Sequence, residues 1–298
     1  MQKILFLMNG SKKVSKSLQH FLESCSDLFG NHYAFIPSQK EKELVSIAKE
    51  HAATVDVMVA IGGDGTLNEI INGLMLSDAA DLPMIAIIPY GTGNDFYQST
   101  FFPSFDFNGF LTALQQPKFI LSDVGKIETE HVTRYFMNVA DIGFGGAVVI
   151  SLSQFRKTFG PGFSYGLAIL KTFFAYKRPK VIINAANFSH EGELLLAAAC
   201  NGSIFGNGLH IHPGASISDG KLKLTILAKV SLLDYLLNVL KVKRGKKIVH
   251  PEAHYLESNT LSLQSFNGDL HAETDGEYLC GKHFEITIIP QRLKILSV

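Results

Sequence analysis

At 298 residues, with 46% hydrophobic and 18% charged residues, the chain has apolar material for two packed domains and does not fit the composition of a disordered protein. The formal net charge is zero, so no global field draws it to nucleic acid or to an anionic bilayer; any such attraction has to come from a local patch. Cys25, Cys200 and Cys280 lie far apart in sequence, give neither metal spacing nor a disulfide framework, and suit a reducing cytoplasm.

The first apolar run, residues 4–8, is too short for a signal peptide and reads as a buried strand. Residues 15–28 have the period of an amphipathic helix, with Leu18, Phe21, Leu22 and Cys25 on one face. Residues 40–51 read as the next helix, 55–61 as a β-branched strand ending at Gly62-Gly63, 66–75 as helix, and 84–88 as a strand stopped by Pro89. Uniformly apolar strands alternating with helices predict an α/β domain with a mostly parallel sheet covered on both faces. The character changes at Ser122-Asp123. Strand-like stretches then dominate, at 135–139, 181–186, 194–200, 221–227, 260–263, 283–289 and 293–298. Turn pairs such as Asn201-Gly202, Asp219-Gly220, Asn267-Gly268 and Asp275-Gly276 separate them, and only 146–159, 164–176 and 231–243 look helical. This half is predicted to be largely antiparallel β. The best candidate for a membrane span, 165–176, is shorter than the ~20 apolar residues required and carries Lys171.

The sharpest local signal is Gly62-Gly63-Asp64-Gly65-Thr66-Leu67-Asn68-Glu69, set where an apolar strand ends and a helix begins. Glycines let the backbone approach a ligand, and the first amides of the helix face an anion, which makes a phosphate site. In an open parallel sheet ligands collect at the carboxyl ends of the strands, where this loop lies. A tight turn would need only two glycines. An acid among them makes sense if Mg²⁺ intervenes or if Asp64 orients an attacking hydroxyl. Pro89-Tyr90-Gly91-Thr92-Gly93-Asn94-Asp95-Phe96 repeats this logic after the next strand, so two loops are placed to grip a polyphosphate. Neither has the lysine of a Walker A loop.

G-G-D-G-T-x-N-E followed by P-x-G-T-G-N-D-F resembles the diacylglycerol-kinase catalytic family, which includes diacylglycerol, sphingosine and ceramide kinases and soluble bacterial lipid kinases. Later segments are similar to that family in the same order: Ser122-Asp123-Val124-Gly125, the run from Asn138 to Gly143-Phe144, the run from Pro213 to Asp219-Gly220, and Thr274-Asp275-Gly276-Glu277. The resemblance implies an ATP- and Mg²⁺-dependent lipid kinase, cytoplasmic and peripheral to the membrane. It implies a nucleotide domain like that of the phosphofructokinase and NAD-kinase superfamily, residues 1–122 plus a returning C-terminal strand at about 290–298, and a β-sandwich lipid-substrate domain over 123–289. By motif position, Glu277 is the general base and Asp64 and Asp123 belong to its acid and metal-linked network. Gly62, Gly63, Asp64, Gly65, Thr66 and Asn68, with Gly91, Thr92, Gly93 and Asn94, hold ATP. A structural Mg²⁺ involves Asp219 and backbone oxygens near Ser216 and Lys221. The family opens with N-P-x-S-G, whereas this chain has Asn9-Gly10-Ser11-Lys12-Lys13; Asn9 and Ser11 are placed to reach phosphate by another loop path.

Read without the resemblance, Glu277 is an acid at a solvated hairpin; with it, the same residue is a base. His210-Ile211-His212 alternates across a strand, and without third and fourth ligands it reads as half-exposed structure. Gly143-Phe144-Gly145-Gly146 shapes a turn into a helix. Phe101-Phe102 and Phe105-Asp106-Phe107 either line an acyl cleft or pack a core. The run Lys241-Val242-Lys243-Arg244-Gly245-Lys246-Lys247 is either a solvated helix end or a hold on an anionic bilayer. An exposed sheet edge could support a homodimer. Two rivals stand beside the lipid kinase: an NAD kinase, which shares G-G-D-G, and a non-catalytic lipid- or nucleotide-binding protein on the same scaffold.

Overall fold

The computed structural model describes residues 2–101, 105–155, 161–206 and 208–297. The chain divides into two compact units, Met1–Asp123 with Gln291–Val298, and Val124–Pro290.

In the first unit the order is β1 (Ile4–Met8), α1 (Lys16–Phe29), β2 (Tyr33–Pro37), α2 (Glu43–His51), β3 (Val57–Gly62), α3 (Asp64–Met75), β4 (Met84–Pro89), α4 (Asp95–Thr100) and α5 (Phe107–Gln115). The strands pair in parallel in the order β2-β1-β3-β4, and the chain's last strand adds beside β4 through Ile295 opposite Ile85. Every residue of β1 and β3 is buried, as strands covered on both faces require. Helix α1 forms where the 3.6-residue period is strongest. Ser15 caps it by accepting the Leu18 amide, and Gly30, at φ 51°, ends it. Its face of Leu18, Phe21, Leu22, Cys25 and Phe29 is buried against the sheet, each fully buried Leu or Phe contributing roughly 2 kcal/mol. Phe21 packs on Phe107 at 4.9 Å and Phe105 on Phe110 at 5.5 Å between ring centres, so these phenylalanines belong to the core and do not line a cleft. Phe101 packs on Tyr97; Phe102 lies outside the described residues.

The chain passes into the second unit along β5 (Lys118–Glu128) and continues through β6 (Thr133–Phe136), β7 (Val139–Gly143), α6 (Phe144–Phe155), α7 (Pro161–Ala175), β8 (Lys180–Ala185), β9 (Phe188–Glu193), β10 (Leu196–Cys200), β11 (Ile204–Phe205), β12 (Leu209–His210), β13 (Leu222–Leu227), α8 (Leu232–Lys243), β14 (Ala253–Ser258), β15 (Thr260–Ser265), β16 (Leu270–Thr274), β17 (Glu277–Gly281) and β18 (His283–Ser297). Six strands make an antiparallel sheet in the order β14-β13-β10-β7-β16-β17. Within this unit, β9, β8, β15 and the first part of β18 pair antiparallel, as do β5 and β6. Ile127, Phe136, Ile142, Val181, Leu224, Leu263 and Phe284, drawn from both layers, share one core, which makes the unit a β-sandwich. The other face of the six-stranded sheet is covered by residues of α6, α7 and α8, including Val148, Ala168 and Val242.

The expected fold class therefore holds, with local corrections. The two strands predicted at 283–289 and 293–298 are one, β18, which runs through Pro290 and takes its bend at Gln291, φ 49°. The strand predicted at 135–139 is broken at Met137-Asn138 into β6 and β7. The helix predicted to begin at 146 starts at Phe144, and the end predicted for it, at 159, lies outside the described residues.

Candidate active site

The two glycine loops are built against each other. Gly63 opens α3 and no side chain caps that helix, which leaves its first turn facing the loop. A Cβ on Gly63 would lie 3.0 Å from Gly91 Cα, and one on Gly91 would collide with Gly63, so backbone meets backbone here and only glycine fits. The Tyr90 amide donates to the Gly62 carbonyl at 2.8 Å. Asn94 takes the left-handed conformation, φ 56°, accepts the Gly91 amide on Oδ1 at 2.9 Å, and returns its Nδ2 to the Gly91 carbonyl at 3.2 Å. Thr66 and Asn68 are buried within α3; Thr92 is exposed at the tip of the second loop.

Asp64 joins the loops. Its Oδ2 accepts the Asp95 amide at 3.0 Å and its Oδ1 the Phe96 amide at 2.9 Å, so it caps α4 from 31 residues away. The acid among the glycines thus has a structural task that the local pattern does not reveal. Glu69, the last residue of the same motif, accepts the Leu44 amide at the start of α2. Asp123 is fully buried and accepts the Gln291 amide on Oδ1 at 2.8 Å, tying the returning strand to β5 within the first unit.

The departing Asn9–Lys13 segment has a defined path. Asn9 Oδ1 accepts from both the Ser11 amide and the Ser11 hydroxyl, and the Lys12 amide closes a turn on the Asn9 carbonyl. Lys12 Nζ donates to the Tyr90 carbonyl at 2.7 Å, and Tyr90 Oη donates to the Lys13 carbonyl while accepting the Ser15 amide. A half-buried ammonium therefore stands at the second glycine loop. Lys12 and Tyr90 were not singled out from sequence; a lysine in the loop between a buried strand and a helix was the available signal.

In the second unit, Asp275 and Gly276 both have positive φ, 48° and 89°, and make the two-residue turn between β16 and β17. Asp275 accepts three amides, from Met137 at 2.9 Å, Asn138 at 3.1 Å and Val139 at 3.0 Å, and so holds the β6–β7 break in place. The Gly276 amide donates to Glu273 Oε2. Glu277 follows immediately, opposite Thr274, and is half-buried. Asn138 donates Nδ2 to the Ile204 carbonyl, and Asn201 donates its own to the Met137 carbonyl, so the run from Asn138 to Gly143-Phe144 is also a scaffold. At its far end the Gly145 amide bonds to Asp141, whose carboxyl is pushed up to about 7 by burial.

Asp219 is surrounded differently. Its Oδ1 accepts the Lys221 amide at 3.1 Å, and its Oδ2 pairs with Lys223 Nζ at 2.9 Å. Lys223 Nζ also lies 2.7 Å from Glu257 Oε1, whose second oxygen takes Lys221 Nζ at 3.0 Å. Ser216 is exposed on the same loop. Among the described residues no group of three or more His, Cys, Asp or Glu side chains stands together as metal ligands. The Mg²⁺ expected at Asp219 and backbone oxygens near Ser216 and Lys221 would share that carboxylate with the Lys223 ammonium. His212 is buried and stacks edge-on against Tyr255. Burial first, and then Lys247 and Lys223, hold its pKa down near 4; His210 and His212 are structural.

Glycine loops at the carboxyl ends of a parallel sheet, in a chain that also carries an antiparallel sandwich, lie where open α/β sheets collect their ligands. Residues 3–127 match the diacylglycerol kinase catalytic domain, and residues 139–297 match the YegS C-terminal NAD kinase beta sandwich-like domain. A "Probable lipid kinase YegS-like" protein of Yersinia pestis is 31% identical over 248 residues, 82% of this chain and 80% of its own length. Another of that name, from Yersinia enterocolitica, is 26% identical over 97% of this chain and 95% of its own. A diacylglycerol kinase structure from Bacillus anthracis superimposes with a TM-score of 0.72 at 19% identity, covering 100% of this chain and 97% of that one. The chain belongs to the YegS-like branch of the diacylglycerol-kinase catalytic family.

Proposed function

We propose that the protein transfers the γ-phosphoryl group of ATP to the hydroxyl of a diacylglycerol-like lipid. The observation that carries this reading is the pair of glycine loops locked backbone to backbone by Asp64 and Asn94. Relatives named as lipid kinases support the lipid acceptor. In this reading residues 1–122 and 290–298 bind ATP, and 123–289 take the lipid. Gly62, Gly63, Gly65, Thr66 and Asn68, with Gly91, Thr92, Gly93 and Asn94, surround the phosphates; Asn9 and Ser11 shape the neighbouring turn. Lys12 adds a cation where negative charge accumulates. Mg²⁺ held by the nucleotide beside the loop that carries Asp64 would supply charge neutralisation for the phosphates. The lipid oxygen attacks Pγ, the bond to the β–γ bridging oxygen breaks, ADP departs, and Glu277 takes the hydroxyl proton. Asp64 and Asp123 act by positioning the loops and the returning strand. No helix among the described residues is long and apolar enough to cross a membrane, and we place the protein in the cytoplasm, working at the bilayer surface.

The test is transfer of labelled γ-phosphate from Mg·ATP to a lipid panel in mixed micelles, comparing wild type with Glu277→Gln. A labelled lipid, reduced by on the order of 10²-fold or more in the variant, is the expected result. Full activity in the variant moves the base elsewhere. Labelled NAD in place of lipid makes the protein an NAD kinase, and no labelled acceptor makes it a binding protein.

A further inference from the structure

We propose that α8 is the element that docks the protein on an anionic bilayer, an inference that rests on the lipid acceptor proposed above. Leu233, Leu236, Leu237 and Leu240 follow the i, i+3, i+4, i+7 spacing of one helix face, and they are exposed at 62%, 37%, 68% and 64%. The opposite side of the helix carries Val239 and Val242, packed into the core beneath. A helix anchored by one apolar face has no folding reason to carry a second, so this stripe has a partner outside the chain. Charge selects that partner. Lys241, Lys243, Arg244, Lys246 and Lys247 follow at the end of the stripe, all exposed, in a chain whose net charge is zero. Asp234, near the helix start, is the only acid in α8 and is already bonded to Ser231. Exposed leucines flanked by basic side chains fit acyl chains beneath anionic headgroups.

Sedimentation with phosphatidylcholine vesicles, with and without about a third phosphatidylglycerol, tests this without ATP or turnover. Wild type is expected to bind the anionic vesicles preferentially. Leu237→Gln with Leu240→Gln is expected to lower that partitioning by on the order of tenfold or more, and Lys243→Glu with Arg244→Glu by a similar factor. Both pairs are surface-exposed, so an unchanged thermal midpoint shows that the fold survives. Unchanged partitioning in the leucine pair overturns the proposal, as does a wild-type dimer that this pair converts to monomer, since the stripe would then face a second copy. Because vesicle binding is read without catalysis, failure here leaves the kinase reading standing, and failure of phosphoryl transfer leaves the docking result standing.

A second observation carries a separate inference: the Lys223 ammonium serves as the built-in cation of the 216–221 turn, making this segment independent of metal. Lys223 is 6% exposed, at a position of β13 where every neighbour is buried, and it bridges Asp219 and Glu257 at 2.9 and 2.7 Å. With Lys221 on the other oxygen of Glu257, two ammonium groups meet two carboxylates, and no charge is left for a divalent ion to neutralise. In nucleotide-free protein the thermal midpoint is expected to be the same in EDTA and in 10-fold millimolar ranges of Mg²⁺ or Ca²⁺, within about 1 °C. Lys223→Asp places three carboxylates together and is expected to lose stability in EDTA and regain several degrees on adding Ca²⁺. A saturable wild-type rise with Mg²⁺ that Asp219→Asn abolishes overturns the inference. So does one tightly bound metal per chain that is lost in the same variant.

Discussion

In the first unit, Asp64 and Asp123 are answered by backbone amides: Asp95 and Phe96 for one, Gln291 for the other. In the second unit, Asp219 and Glu257 are answered by Lys223 and Lys221, and the amides contribute little beyond that of Lys221. An amide donor stabilises a carboxylate while keeping the backbone of a loop in one conformation, and it brings no full positive charge. An ammonium cancels the charge but brings its own, which shuts out other cations. In the readings proposed above, the amide-bound acids leave the glycine loops shaped for an anionic ligand, whereas the ammonium-bound pair closes a site on itself. Asp275 is the exception that clarifies the rule: it lies in the second unit, yet it holds three amides and fixes a strand break, as Asp64 fixes a helix start.

The largest effect that would test this contrast lies at the loop contact. Gly91→Val forces a side chain into Gly63, and a stability loss of roughly 2–3 kcal/mol in urea unfolding is expected, together with loss of phosphoryl transfer. A variant of wild-type stability and activity would show that the two loops do not need to touch. Next come the amide clamps. Asp275→Ala leaves three amides without their acceptor and is expected to cost about 2–3 kcal/mol; Asp64→Ala leaves two, at a short helix, and should cost about 1–2 kcal/mol. The reverse ranking would mean that the clamp on the strand break is the less important of the two.

Asp141 supplies a pH-dependent comparison. It is 1% exposed, sits opposite Glu273 across the sheet, and interacts electrostatically with Tyr176 and Cys200, whose pKa values are raised primarily by burial and further by Asp141. Burial raises its own pKa from 3.8 to about 7. A carboxyl raised in the fold contributes stability that is fully present below pH about 4 and is lost as pH rises through about 7. Asp141→Asn should therefore raise the thermal midpoint at pH 8 and leave it nearly unchanged at pH 4; an equal shift at both pH values would assign the effect to packing. The smallest effect is expected at Lys12. Lys12→Met should raise KM for ATP several-fold while kcat stays within about twofold and stability within about 0.5 kcal/mol, which steady-state kinetics and urea unfolding would separate. A stability loss without a change in KM would confine Lys12 to bracing the Tyr90 carbonyl.

What the sequence determined by itself was local. Apolar strands that end in glycines, the 3.6-residue period of α1, the Ser15 cap and the Asp275-Gly276 turn all depend on residues within a few positions of one another, so their geometry follows from backbone sterics and side-chain period. That was enough for the fold class and for the loops that define the family. The partners of the acids were decided only by tertiary structure. Asp64 reaches an amide 31 residues on, Asp275 one 138 residues back, and Asp123 one 168 residues away; no spacing rule encodes such pairings. Lys223 left a faint trace, a charge inside the uniformly buried run of β13, but its meaning depended on β14 bringing Glu257 alongside it. Phe105 and Phe107 show the same limit: sequence left them between cleft and core, and packing against Phe21 and Phe110 put them in the core. A side chain's chemistry is written in its own residue, but whether that chemistry is spent on the fold or left for a ligand depends on what distant segments place within about 3 Å of it.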